Sequence, residues 1–282
     1  MVRMTTAMVR QAKGKKPVTM LTAYDYPTAR IFDQLGIDIM LVGDSMGNVV
    51  YGYDSTLPVT LEQTIYHCRA VRTGATTHSL VVGDLPFLTY GVSVEKTVEN
   101  AGRVVKEGGA EAVKLEGGTA RKDEIKACLD IGVPVMGHLG LTPQSVHKFG
   151  GYKVQGKSAQ LADVLVEEAQ ELERAGCFSI VLEGIPWQVA KVITNEINIP
   201  TIGIGAGPHC DGQVLVWQDA LGLFDDFVPK FVKQYANLKQ TIAEAVAHYK
   251  SDVIEGHFPS VDQSYEMPPE ELEKWSLWKK HQ

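Results

Sequence analysis

The stretch Ile37-Asp-Ile-Met-Leu-Val-Gly-Asp-Ser-Met-Gly47 decides how the rest of the chain is interpreted. It begins as an apolar run that is too short for a typical helix and rich in branched residues, which is typical of a strand buried on both faces. The run breaks at Gly43 and places Asp44 and Ser45 side by side at the end of the strand. A lone Asp44 would most simply cap the next helix. Because the same arrangement recurs along the chain, a functional role is favoured instead.

Seven further apolar runs alternate with segments of helical spacing. The predicted strands are residues 18–24, the opening stretch 37–47, 79–86, 112–118, 134–140, 177–186, 200–207 and 213–217. The predicted helices are residues 25–35, 60–73, 93–107, a helix that ends at Ile131, 158–175, 187–196 and 233–254. This alternation predicts an α/β fold with a parallel sheet. Eight strands in 282 residues favour a closed (β/α)8 TIM barrel over an open doubly wound sheet.

We expect one domain over residues 1–282, with a polar N-terminal arm (1–16) and a C-terminal helical extension (about 233–282), of which residues 255–282 wrap another part of the assembly. The composition is 44% hydrophobic and 22% charged, as in ordinary globular proteins. The net charge of -7 argues against a general nucleic-acid binder. No apolar run approaches the ~20 residues of a membrane span, and the N-terminus lacks the apolar core of a secretory signal. Four widely spaced cysteines indicate no disulfide framework, so we expect a cytoplasmic protein.

Polar and charged side chains stand at the ends of several predicted strands. In a (β/α)8 barrel the carboxyl ends of the strands form the active-site face, so these side chains should meet there. They are Asp44, Ser45, Asp84, Lys114, Glu116, His138 and Glu183. Acids at four strand ends would repel one another unless a cation or protons intervened. The oxygen ligands of Asp44, Asp84 and Glu116 favour Mg²⁺ over Zn²⁺. An acidic rim held by hydrogen bonds without a metal is the alternative.

The other rim residues allow several roles. Lys114 could neutralise a substrate carboxylate, form a Schiff base or make a structural salt bridge; beside a metal, the charge-binding role is preferred. Glu183 ends a very apolar strand, where burial raises the pKa of a carboxyl and suits it to general acid–base catalysis. His138 could be a second acid–base group, a hydrogen-bond donor to substrate or a packed structural histidine. The run Gly203–Gly207 lacks the dinucleotide spacing, although phosphate binding stays open.

Seven motifs, in matching order between about Val18 and Lys233, resemble the ketopantoate hydroxymethyltransferase family. They are Val42-Gly-Asp-Ser-Met-Gly47, Gly83-Asp-Leu-Pro-Phe87, Val113-Lys-Leu-Glu-Gly117, Gly137-His-Leu-Gly-Leu-Thr-Pro-Gln144, Leu182-Glu-Gly184, Ile202-Gly-Ile-Gly-Ala-Gly207 and Cys210-Asp-Gly-Gln213. The resemblance implies a barrel of the phosphoenolpyruvate/pyruvate superfamily. It further implies transfer of a hydroxymethyl group from 5,10-methylenetetrahydrofolate to 3-methyl-2-oxobutanoate through a Mg²⁺-stabilised enolate. The product would be 2-dehydropantoate (ketopantoate), in pantothenate and coenzyme A biosynthesis.

The resemblance also assigns roles to the rim residues. It implies Mg²⁺ held by Asp44 and Asp84, with Glu116 as a ligand directly or through water. The oxo acid would bind the metal and contact Ser45 and Lys114, and His138 is expected nearby. Glu183 matches the catalytic base. The family forms homo-oligomers, commonly decamers, and no nucleic-acid or membrane partner is implied. A related Mg²⁺-dependent lyase is the nearest alternative, but the reactive Lys-Lys-Cys-Gly-His-like run of such lyases is absent from the sequence. A catalytically silent metabolite-binding barrel is a further alternative.

Overall fold

Eight parallel strands pair in chain order and close into a barrel, in a computed structural model that describes residues 2–224 and 227–280. The strands are β1 (Val18–Thr22), β2 (Ile39–Val42), β3 (Leu80–Asp84), β4 (Ala112–Glu116), β5 (Val135–Gly140), β6 (Ser179–Glu183), β7 (Thr201–Ile204) and β8 (Gly212–Leu215). The barrel closes where β8 pairs with β1, with Val18 opposite Gly212. The predicted (β/α)8 barrel is therefore confirmed.

Helices follow most of the strands and form the outer layer. They are α1 (Thr6–Gln11), α2 (Tyr26–Gln34), α3 (Met46–Val49), α4 (Leu61–Gly74), α5 (Val94–Gly108), α6 (Lys122–Asp130), α7 (Val146–Phe149), α8 (Ala159–Ala175), α9 (Trp187–Glu196) and α10 (Trp217–Ala220). Side-chain caps set where several of them begin. The Asp25 carboxylate accepts from the Thr28 amide at the start of α2, and Thr60 and Gln63 form a capping box at the start of α4.

The chain divides into two compact units, Met1–Tyr235 and Ala236–Gln282. The second unit contains α11 (Leu238–Glu255) and α12 (Pro269–Lys279). The sequence prediction began α11 too early, at residue 233. The helix begins only after Asn237, because the Asn237 side chain accepts from the Gln240 amide as the N-cap. The predicted end of β8 at residue 217 is also wrong. The strand ends at Leu215, since the Trp217 amide bonds the Thr22 hydroxyl and opens α10.

Alternation along the strands separates two layers of core. Ile39 and Leu41 of β2 belong to the cluster inside the barrel, whereas Met40 and Val42 pack outward under the helices. The same period of two holds along β4, where Ala112 lies in the interior cluster. Side chains two and four residues after Ala112 therefore face the barrel axis as well. The polar groups at the carboxyl ends of the strands therefore lie above the apolar side chains that fill the barrel.

The N-terminal arm covers the opposite end of the barrel. Met4 and Val9 are buried in the interior cluster. Arg3 pairs with Glu111 at 2.6 Å, Lys13 with Asp211 at 2.9 Å and Lys16 with Asp38 at 3.2 Å. All three acids directly precede strands, so the arm is tied to the amino ends of the barrel.

Two predictions from the sequence, on membrane-spanning segments and on disulfides, can be compared with the structure. Within the described residues, no helix is both long enough and apolar enough to cross a membrane. Cys68, Cys128, Cys177 and Cys210 are free thiols, and the first three are buried.

Candidate active site

All seven rim residues line one cavity of about 190 Å³ at the carboxyl end of the barrel. Strand parity explains the convergence. Asp84 lies two residues after the interior Val82, and Lys114 and Glu116 lie two and four residues after Ala112. His138 and Glu183 likewise follow the interior residues Met136 and Val181, and Asp44 and Ser45 follow β2. The prediction from sequence that these strand ends meet at one face therefore matches the geometry.

Asp44 and Asp84 lie side by side at the base of this cavity. The Asp44 amide approaches Asp84 Oδ2 at 3.4 Å. Burial raises the pKa of Asp44, and it raises the pKa of Asp84 to about 7 against the opposing charge of Lys114. Asp44 is not a helix cap: Ser45 holds the N-cap position of α3 without a side-chain bond, and the Asp44 carboxylate accepts from Gln144 instead.

Lys114 stands among the carboxylates as a buried ammonium. Its Nζ lies 2.9 Å from Asp84 Oδ1 and 3.2 Å from His138 Nδ1. Burial alone would lower the pKa of Lys114, but the carboxylates of Asp84, Glu116 and Asp44 together raise it above its usual value. An amine held protonated is a poor nucleophile, so the geometry favours charge binding over Schiff-base formation.

His138 joins Lys114 to Glu183. Burial and the Lys114 charge lower the pKa of His138 well below its usual value, so the ring is neutral. Because the Lys114 ammonium can only donate, Nδ1 must accept from it, and Nε2 then carries the ring proton. Nε2 lies 3.2 Å from Glu183 Oε2. The two atoms are therefore in close contact, although Nε2 makes no well-aligned hydrogen bond in the described structure.

Glu183 combines a raised pKa with access to the cavity. Burial raises the pKa of its carboxyl to about 7, while Lys114 opposes the shift. Its side chain remains 17% exposed, compared with 3% for Glu116. A carboxyl that is half ionised near neutrality and reachable from the cavity is suited to moving a proton.

Glu116 has one oxygen engaged and one available. Its Oε2 accepts from the Gln144 amide at 3.1 Å. Its Oε1 is buried without a hydrogen bond in the described part of the chain, and His138 Nδ1, which carries no proton to donate, lies 3.6 Å away. Burial raises the pKa of Glu116 well above its ordinary range. Four carboxyl groups thus face one ammonium, and the site has room for a further positive charge.

Several residues in or next to the cavity escaped the sequence reasoning. The Tyr24 hydroxyl lies 2.8 Å from Ser45 Oγ, and Gln144 contacts Asp44. The Tyr90 hydroxyl contacts Gln144 in turn, and Asp219 lines the cavity with its pKa raised to about 6 by burial. Gln144 is the last residue of the motif Gly137–Gln144, so the sequence pointed to this residue but not to its partner Asp44. Tyr24, at the end of a predicted strand, carried no charge pattern that would single it out.

Comparison with known proteins gives the family. The sequence profile described as ketopantoate hydroxymethyltransferase matches residues 3–261. A protein from Clostridium beijerinckii named 3-methyl-2-oxobutanoate hydroxymethyltransferase is 55% identical over 271 residues, which cover 96% of this chain and 98% of that protein. A protein of the same name from Geobacter sulfurreducens is 56% identical over 255 residues, covering 90% of this chain and 95% of the relative.

Solved structures agree on the fold. Phosphonopyruvate hydrolase superposes with a TM-score of 0.59 at 12% identity, covering 98% of this chain and 96% of that one. A 2,3-dimethylmalate lyase, described as a PEP mutase/isocitrate lyase superfamily member, gives a TM-score of 0.56 at 15% identity over 98% and 99%. These similarities support the barrel fold. Together, the profile match over most of the chain and relatives above 50% identity show that this chain belongs to the ketopantoate hydroxymethyltransferase family of enzymes.

Proposed function

We propose that this protein transfers a hydroxymethyl group from 5,10-methylenetetrahydrofolate to 3-methyl-2-oxobutanoate, giving 2-dehydropantoate in the cytoplasmic route to pantothenate and coenzyme A. One observation carries the proposal. Asp44, Asp84 and Glu116 line the same small cavity as a permanently charged Lys114 and a Glu183 whose pKa is about 7. Such a site can hold an anionic oxo acid, neutralise the charge that develops on it and remove a carbon-bound proton.

The donor atoms of the cavity suit Mg²⁺. They are carboxylate oxygens, the ligand type that this ion prefers. Among residues 2–224 and 227–280, no three His, Cys, Asp or Glu side chains are arranged as a ready metal cluster. Mg²⁺ needs only one or two protein carboxylates, because waters and substrate oxygens complete its octahedron. We therefore assign Asp44 and Asp84 as direct ligands. Glu116, whose Oε1 has no hydrogen bond in the described chain, would bind the ion through a water.

The chain's own residues then divide the work of deprotonation. Lys114 neutralises the carboxylate of the oxo acid, and the Ser45 hydroxyl, held by Tyr24, donates a hydrogen bond to it. When bound, Mg²⁺ supplies positive charge that stabilises the negative charge developing on the keto oxygen. Glu183, whose Oε2 lies 3.2 Å from His138 Nε2, takes the proton from C3 of the oxo acid.

Carbon–carbon bond formation follows at C3. Water hydrolyses the methylene bridge of the folate, so that both C–N bonds break and tetrahydrofolate and a one-carbon unit at the oxidation level of formaldehyde result. The enolate carbon attacks this carbon, and its oxygen takes up a proton to give the hydroxymethyl group. Cavities for drug-sized ligands are usually about 300–1,000 Å³. A cavity of about 190 Å³ therefore suits the small acid, and most of the folate must lie at its mouth.

One assay tests the proposal. The purified protein is incubated with 3-methyl-2-oxobutanoate, 5,10-methylenetetrahydrofolate and Mg²⁺, and 2-dehydropantoate is measured by mass spectrometry. We expect product only when all three are present. A lyase would turn over an oxo acid without folate, and a metabolite-binding barrel would yield no product, so either result would refute the proposal.

We further propose that the protein self-associates, with a decamer expected from its family. Ile242, Val246, Tyr249 and Val253 of α11 are all exposed. Their spacing of four, three and four residues puts them on one face of the helix. An apolar stripe of this kind is best covered by a second copy of the chain. Light scattering coupled to size-exclusion chromatography should report a mass several times 30.9 kDa; a monomer would refute the expectation.

A further inference from the structure

Gln144 makes hydrogen bonds to two carboxylates of the active site, although the reaction proposed above gives it no role. It lies in the turn Pro143–Ser145 that follows β5, and it is 6% exposed. Its side-chain Nε2 donates to Asp44 Oδ2 at 2.9 Å and to the Leu85 carbonyl at 3.0 Å. Its backbone amide donates to Glu116 Oε2 at 3.1 Å. One residue thus binds two of the three carboxylates assigned to the metal.

The orientation of the Gln144 side-chain amide is fixed by hydrogen bonds to both its nitrogen and its oxygen. Its Oε1 accepts from the Tyr90 hydroxyl at 2.7 Å, and the Tyr90 oxygen in turn accepts from the Glu116 backbone amide at 3.2 Å. Turning the amide over would set its oxygen against Asp44 Oδ2 and the Leu85 carbonyl, which are both acceptors. Every donor and acceptor of this side chain is therefore used, in one arrangement only.

From this geometry we infer that Gln144 is a positioning residue, which holds Asp44 and Glu116 so that each turns a single oxygen toward the Mg²⁺ site, Asp44 as a direct ligand and Glu116 through a water. The inference rests on the proposed metal site. Mg²⁺ demands near-ideal octahedral geometry, so a carboxylate that rotates freely or binds through both oxygens fits it poorly. Gln144 bonds Asp44 Oδ2 and Glu116 Oε2, which leaves Oδ1 and Oε1 as the oxygens without a bond to Gln144. Glu116 Oε1 is the buried oxygen that has no hydrogen bond in the described structure.

A neutral amide suits this task better than a charged donor. A second ammonium beside Asp44 would compete with the metal for the carboxylate, whereas an amide N–H fixes its direction and leaves its charge available. Tyr90 acts one step further out. Its hydroxyl makes no hydrogen bond to Asp44 or to a carboxylate oxygen of Glu116 in the described chain, and it contacts Gln144 Oε1 and the Glu116 backbone amide instead. Its effect on the orientation of the two carboxylates is therefore assigned to Gln144.

The test measures metal affinity rather than activity. Gln144→Met keeps the length of the side chain and removes the amide, and Tyr90→Phe removes only the hydroxyl. Gln218→Met is the matched control, because Gln218 is also a buried glutamine but bonds no site carboxylate in the described structure. Mg²⁺ binding is measured by calorimetry, and Mn²⁺ in the same site by electron paramagnetic resonance.

We expect the Mg²⁺ Kd of Gln144→Met to rise about 10- to 100-fold, which is typical when the partner of a metal ligand is removed. The Mn²⁺ spectrum should broaden, and excess Mg²⁺ should restore kcat, which a variant damaged only in its folding would not allow. Tyr90→Phe should weaken binding less, and it should add nothing in the Gln144→Met background, as expected for residues acting in series. Gln218→Met should bind Mg²⁺ like wild type.

The opposing outcomes are distinct. A Gln144→Met protein whose Kd stays within twofold of wild type would overturn the inference while leaving the metal assignment intact. An equal loss in Gln218→Met would show a general effect of core substitution and would also overturn it. If Gln144→Met does not fold, Tyr90→Phe decides alone, and an unchanged Kd and Mn²⁺ spectrum in that variant would count against the inference. A wild-type protein that binds no divalent ion would instead remove the metal from the proposed function.

Discussion

Replacing Glu183 with glutamine should stop proton removal and, at the same time, stabilise the fold above neutral pH. Glutamine matches the shape of glutamate, and its side-chain oxygen can take the place of Glu183 Oε2, which lies 3.2 Å from His138 Nε2. The amide cannot take up a proton. General base catalysis typically contributes 10²- to 10⁴-fold to rate. We expect deuterium exchange at C3 of 3-methyl-2-oxobutanoate to fall by about that factor.

The gain in stability follows from the raised pKa of Glu183. Burial moves this pKa from an ordinary 4.5 to about 7. Since one pKa unit corresponds to 1.36 kcal/mol, ionising the carboxyl in the folded protein costs about 3 kcal/mol more than in the unfolded chain. The folded state holds the proton more tightly, so wild type loses this stability as pH rises from about 4.5 to about 7. The variant avoids the loss and should be up to about 3 kcal/mol more stable above pH 7, with the difference vanishing below pH 4.5.

Two measurements check the pair of effects. Exchange is followed by proton NMR in D₂O with Mg²⁺ and no folate, which isolates the first half of the reaction. Free energies of unfolding are measured with chelator at pH 4.5 and pH 8. Glu196→Gln is the matched control, because Glu196 is an exposed residue on α9. Exchange in Glu183→Gln within twofold of wild type would remove Glu183 as the base. Equal stabilities at pH 8 would refute the account of its pKa.

Three other sites and one loop give further predictions. Asp84→Asn should weaken Mg²⁺ binding at least tenfold by calorimetry, and wild-type affinity would overturn its assignment as a ligand. Lys114→Met should raise the KM for the oxo acid, and borohydride should trap no adduct on wild-type Lys114; a trapped adduct would revive the Schiff-base role. Asp33→Asn should lower the free energy of unfolding by about 2–4 kcal/mol, because the carboxylate accepts from four backbone amides of residues 76–79. Residues 149–156 run from the end of α7 toward α8, and Tyr152 among them lines the cavity, so we expect this segment to close over the site and its proteolysis to slow when both substrates are bound; equal rates would refute closure.

The barrel and most of its rim could be predicted because both depend on local patterns. Short branched runs mark the strands, and a parallel barrel forces their carboxyl ends to one face. Asp84 and Glu183 stand at the last positions of their strands, so their direction followed from parity alone. Boundaries were less accurate where a single hydrogen bond decides them, as at Asn237 before α11 and Trp217 after β8.

The polar contacts between rim residues could not be predicted. Gln144 reaches Asp44 across 100 positions in the sequence, and nothing in its local pattern names that partner. Strand parity gives the direction of a side chain but not the rotamer or the loop that meets it. Asp44 is a second example, because an Asp that caps a helix and an Asp that binds a metal look alike in sequence. Only the direction of its carboxylate, toward Gln144 and away from the helix amides, separates them.

The ties of the N-terminal arm have a practical consequence for anyone who handles this enzyme. Ion pairs from Arg3, Lys13 and Lys16 hold the segments that lead into β4, β8 and β2. These segments lie at the amino end of the barrel, far from the active site. Removing the first sixteen residues to obtain a minimal catalyst would leave every reactive group in the chain. It would also remove the ion pairs that hold the segments leading into three strands of the barrel. A purification tag is better attached so that it leaves the opening residues free to dock.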